Sequence, residues 1–124
     1  MISGDAIQAR VELFMSECRY CGVGLGDKRS WVCAPCSIVR DRIRARTHIA
    51  VGNAIRNGVL HHPRMFFCVD CEDKQAECYD HRDYRKPLDV DPVCRSCDKR
   101  RGTGYPLRPQ DRAVMFKMMR NEAA

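Results

Sequence analysis

Four Cys-x-x-Cys pairs in 124 residues, the turn-forming segments between them and the helical periods around them predict a small zinc-stabilised α+β fold. The pairs are Cys18/Cys21, Cys33/Cys36, Cys68/Cys71 and Cys94/Cys97. Each knuckle turns tightly enough to aim two thiolates at one point, and two knuckles complete a tetrahedral four-sulfur site for zinc. Such a site has no open position, so both zinc ions are expected to be structural. A chain this short buries a limited apolar core and needs staples of this kind. Paired spacing also suits zinc better than a lattice of disulfides.

Taken in order, residues 5–17 place Ile7, Val11, Phe14 and Met15 at helical spacing behind Asp5 as N-cap. This helix is expected to pack on the first knuckle. Gly22, Gly24, Gly26 and Asp27 then form turns inside the first cysteine set, which predicts a short hairpin with Trp31 on its return strand. The pattern is that of a zinc ribbon or a treble clef. From Ser37 the chain reads as helix, with Ile38, Val39 and Ile43 on its buried side. The stretch THIAVGNAIRNGVL either breaks from this helix or continues it, with Ile49, Ala50, Ala54 and Ile55 as apolar stripe. Asn57-Gly58 is the expected stop. The adjacent His61 and His62 suggest metal at first sight, but both zinc sets are already complete, so a capping or exposed role is expected.

The second cysteine set encloses Asp80-His81-Arg82-Asp83-Tyr84 and leaves Cys78 as the odd thiol, expected to be buried near the zinc. A competing set of Cys68, Cys71, Cys78 and His81 would also bind zinc, but it orphans Cys94 and Cys97. Lys99, Arg100 and Arg101 are expected to start a helix after the second knuckle. Gly102–Pro109 reads as a loop. Residues 111–122 form a last helix with Val114, Met115, Met118 and Met119 on one face, either core or an adaptable partner surface. The chain thus divides into an N-terminal helix and zinc module (1–40), a basic linking helix region (41–64), a second zinc module (65–105) and a C-terminal helix (106–124).

The formal charge of +6 is uneven: residues 37–67 carry +5, residues 68–97 carry −3 and residues 98–124 carry +4. An acidic loop between basic segments suits a protein that grips phosphates, so DNA is the expected partner. Arg40, Arg42, Arg44 and Arg46 spread over a wide arc of one helix, as phosphate contacts or as a solvated face. Arg85 and Lys86 would approach the same phosphates from the loop, and Lys99, Arg100 and Arg101 from the second knuckle. Neither a leader sequence nor a bilayer-spanning apolar run is visible, and a soluble, cytoplasmic protein without membrane contact is expected.

The order Cys68/Cys71, Asp80-His81, Cys94/Cys97 and Arg101 resembles the HNH, or His-Me finger, nucleases built on a treble clef, including the recombination endonuclease VII group. Segments such as YDHRDY and PVCRSC are also similar to small phage and bacterial proteins of HNH-like type. The match covers about 35 residues. Asp89 stands where that family has its middle Asn, and Asp98 where it has its last Asn or His. The resemblance implies an HNH-like treble clef for the second module and a metal-dependent endonuclease or nickase. His81 would then be the general base, with Asp80 and Asp98 holding one catalytic Mg2+ or Mn2+ beside the two structural zinc ions. Asp89 would orient the base. The other function class is a non-catalytic double-zinc adaptor that binds DNA or a protein, such as a phage regulator acting on a host machine in the host cytoplasm.

Overall fold

The computed structural model describes residues 16–26 and 30–123. The N-terminal helix expected over residues 5–17 lies almost wholly outside them. Helix α1 runs from Ala34 to Arg56. It starts immediately after Cys33, with a proline in its first turn, where the missing N–H costs no hydrogen bond. It then passes unbroken through Thr47. The hydroxyl there turns back to donate to the carbonyls of Ile43 and Arg44 at 3.2 and 2.8 Å, so a buried β-branched polar residue is satisfied within the helix. The expected stop holds: Asn57 caps the end, and Gly58 takes φ +77°, a left-handed conformation that favours glycine.

Cys36, Ile43, Thr47 and Ala54 form the buried stripe of α1. Ile38 and Ile49, expected inside, are 51% and 61% exposed. At about 100° per residue they sit some 120–140° round the helix from Ile43, off the stripe that is buried. His62 caps a 3-10 turn over Pro63–Met65 by accepting from the Arg64 N–H, the role expected of that pair. Strands β1 (Cys78–Asp80) and β2 (Asp91–Val93) pair antiparallel, Cys78 opposite Val93 and Asp80 opposite Asp91. Helix α2 (Arg95–Arg101) begins directly after Cys94. Lys99, Arg100 and Arg101 therefore end this helix rather than start it. Helix α3 spans Arg112–Ala123.

Two small cores result. One is Cys68, Val93, Cys94 and Cys97, with Cys78 packed against it. The other joins Ile43 of α1 to Leu107 and Met115, with Met118 and Met119 alongside. The methionine stripe is thus part of the core. Between α2 and α3 the chain folds back on the loop after β1, where Tyr84 N–H donates to the Tyr105 carbonyl at 2.7 Å and Tyr105 N–H to that of Arg82 at 3.0 Å. Gly104 makes this docking fit, since a Cβ there would stand 2.0 Å from the His81 carbonyl oxygen. Gly104→Ala is expected to cost about 1–3 kcal/mol, the usual range for overpacking. A thermal melt checks it, and an unchanged midpoint would show that the loop yields freely.

Candidate metal centres and the carboxylate–histidine site

Each cysteine set converges. Within Cys18, Cys21, Cys33 and Cys36, and within Cys68, Cys71, Cys94 and Cys97, the sulfurs all lie within 4.8 Å of one another. Four sulfurs held at about 2.3 Å from a zinc ion would be about 3.8 Å apart. Cys21 and Cys33 stand at 3.6 Å, and Cys71 and Cys94 at 4.0 Å. The geometry and donor set therefore fit zinc. The competing set with Cys78 and His81 does not form: the Cys78 thiol donates to the Val93 carbonyl at 3.6 Å, and burial helps push it up to about 11.

Both sets are built alike. In each, the residue after the second cysteine of the first knuckle is left-handed, Gly22 at φ +79° and Glu72 at +55°. In each, the second knuckle opens a helix, α1 for one and α2 for the other. Burial works to raise the Cys68 thiol, but amide N–H groups of Cys71, Cys94 and Asp70 outweigh it and bring the thiol down to about 6. The first set adds a charged neighbour, the Arg112 guanidinium of α3, whose Nε donates to Cys36 Sγ at 3.4 Å. Among the described residues the place of the expected return strand is taken by one bridge, Glu17 with Gly24, and a bond from Arg19 N–H to the Trp31 carbonyl. Trp31 itself lies in a bend and is 60% exposed, held beneath the Arg19 guanidinium.

The second module brings the carboxylates of Asp80 and Asp98 together, and His81 follows Asp80 in the chain with its ring among other neighbours. Asp80 is buried; its Oδ2 accepts from Arg82 Nε at 2.6 Å and Arg101 Nη1 at 3.0 Å, and its Oδ1 from Arg82 Nη2 at 3.1 Å. Burial works to raise this carboxyl, but the two guanidinium groups hold it below the ordinary carboxylate range. Asp98 at the start of α2 reaches the same carboxylate, and burial together with that neighbour raises it. His81 is buried, stacked on Tyr84 at 5.0 Å, with Nε2 at 2.8 Å from the Pro87 carbonyl. Its ring also lines a cavity of about 200 Å3 with His48, His62 and Cys78.

No protein-family model, curated protein or solved structure matches the chain. The site must be judged on its own geometry, and that geometry reassigns several residues. Asp89 is exposed, with its N–H on the Lys86 carbonyl, and the Pro87 carbonyl and Tyr84 take the orienting position beside His81. Arg101 spends its guanidinium on Asp70, Asp80 and Asp91, at 2.5 to 3.0 Å. Arg85 grips Asp83 at 2.8 Å and covers the Tyr105 ring. Both are therefore engaged with the protein rather than presented to phosphate. Arg42, Arg46, Lys86, Lys99 and Arg100 are exposed, Arg40 is held by Asp41 at 3.1 Å, and Arg44 reaches Tyr84. Arg82, Asp70 and Asp91 were not singled out from sequence, where each reads as an ordinary surface charge. Among the described residues no helix is long and apolar enough to cross a membrane.

Proposed function

We propose that this chain is a DNA-binding protein built on two treble-clef zinc modules, the second of HNH-like type. The observation that carries the reading is the run of arginines around α1. Arg40 and Arg44 stand with Arg19 around an open cavity of about 460 Å3 whose lining, among the described residues, has no carboxylate, and Arg42 and Arg46 carry charge on the exposed side of the helix. Duplex DNA is expected to bind with strong salt dependence, each neutralised phosphate adding about −0.9 to the slope of log K against log salt. Replacing Arg40, Arg42, Arg44 and Arg46 by Ala should flatten that slope and weaken all duplex sequences alike. Affinity that is indifferent to salt would remove DNA as the ligand.

One observation favours a second reading, hydrolysis of a phosphodiester bond. Asp80 and Asp98 meet at the end of β1, and His81 is the next residue in the chain; its Nε2, when it donates to the Pro87 carbonyl, leaves Nδ1 as the basic nitrogen. A divalent cation bound by the two carboxylates would supply charge stabilisation at the phosphate. Against that reading, Asp80 already has Arg82 and Arg101 on its oxygens, so a cation would have to displace a guanidinium. Nicking of supercoiled and branched DNA with Mg2+ or Mn2+ separates the readings. A nuclease loses about 10²–10⁴ in rate in His81→Ala. A binding protein leaves both substrates intact, as wild type and as Asp98→Asn.

A further inference from the structure

The cavity between the first cysteine set and α1 holds more than positive charge. Trp31 stands at its wall, 60% exposed, with the Arg19 guanidinium carbon 4.7 Å from the ring centroid. Arg40 and Arg44 face it from α1, and Tyr20 is anchored there by its hydroxyl, which donates to the Leu107 carbonyl. Among the described residues a neighbouring carboxylate is Asp41, which takes Arg40 Nε at 3.1 Å. An open indole beside three guanidinium groups is the chemistry of a nucleotide: a planar base to stack and a phosphate to neutralise.

We propose that this cavity takes an unpaired nucleotide of a single-stranded or unwound DNA segment, its base on the Trp31 face and its phosphate toward Arg40 and Arg44. The inference rests on the DNA-binding reading and sharpens it. A paired base inside a duplex has both faces covered by its neighbours and cannot offer one to an indole. Phosphate attraction alone would be met by arginines and does not call for an exposed tryptophan. The cavity therefore discriminates by the accessibility of base faces, with little dependence on base identity, because every base has a π-face.

The test measures binding of a labelled oligothymidylate, an abasic strand of equal charge and a duplex to wild-type protein, Trp31→Ala and Trp31→Phe. Metal content and far-UV circular dichroism confirm that each variant is folded. Trp31 is the chain's single tryptophan, so its emission reports the contact in the unaltered protein. The thymidylate should quench it and the abasic strand should not. Trp31→Ala should weaken thymidylate binding by about tenfold or more, Trp31→Phe by much less, and duplex affinity should hold. An abasic strand that binds as tightly as thymidylate, thymidylate affinity unchanged in Trp31→Ala, or Trp31 emission that thymidylate leaves unmoved overturns the inference, while salt-dependent duplex binding leaves DNA binding standing. Failure of every nucleic acid to bind overturns both.

Discussion

Protein purified without chelator is expected to carry two zinc ions per chain, one for each converging cysteine set. Stripping both should unfold it. A structural zinc site contributes on the order of 10 kcal/mol of folding free energy near neutral pH, comparable to the whole stability of a small domain. The two apolar cores here are small, and one of them consists of Val93 and three of the cysteines themselves. Without metal, that core is one valine and three buried thiols with nothing to converge on. Cys36→Ser and Cys94→Ser should each lower the metal count to about one. Elemental analysis and far-UV circular dichroism before and after chelation check this. A folded, metal-free protein, or cysteines recovered as disulfides, would sink it.

The second large effect is expected at Arg101. Its guanidinium lies 17% exposed between Asp70, Asp80 and Asp91, and Asp80 is itself only 7% exposed. Arg101→Gln leaves a buried carboxylate with Arg82 as its remaining cation. Removing one partner of a buried ion pair costs 3–5 kcal/mol, and about 3 is expected here because Asp70 and Asp91 reach water. In a domain of this size that lowers the melting midpoint by about 10 °C or more. Arg101→Lys should recover little, since an ammonium cannot present a planar fork to several carboxylates. Adding Asp80→Asn to Arg101→Gln should cost less than the sum of the two single changes, the sign of a direct coupling. If Arg101→Gln melts with the wild type, the cluster is a surface feature without weight.

Local signals were legible in the sequence and distant ones were not. The Cys-x-x-Cys knuckles, the Asn57-Gly58 stop and the His62 cap each depend on residues within a few positions of one another, and the chemistry of zinc alone says that knuckles pair. The fate of Arg101 depends on Asp70, 31 residues earlier, and Asp91, 10 residues earlier, which only the knuckle and the hairpin bring together. Its place in a basic run suggested phosphate, but three nearby aspartates offer it stronger partners. Ile38 and Ile49 fit an apolar helix pattern, yet which side of α1 is covered is decided by Leu107 and Met115, far along the chain. The resemblance to HNH nucleases implied that Asp80 and Asp98 come together, as they do. That Asp80 is already neutralised could not be read there.

The core formed by Ile43, Leu107 and Met115 has a consequence for how the molecule is made. The chain writes the first zinc module, then the whole of the second, and only afterwards returns to finish the first with α3 and the Arg112 contact to Cys36. On a ribosome, which delivers the amino terminus first, the second module can close around its metal while the first still waits for its lid. The first cysteine set is therefore made first and fully packed last. A chain cut short after the second knuckle keeps all eight metal ligands and yet lacks the apolar side chains that bury the outer wall of the first set.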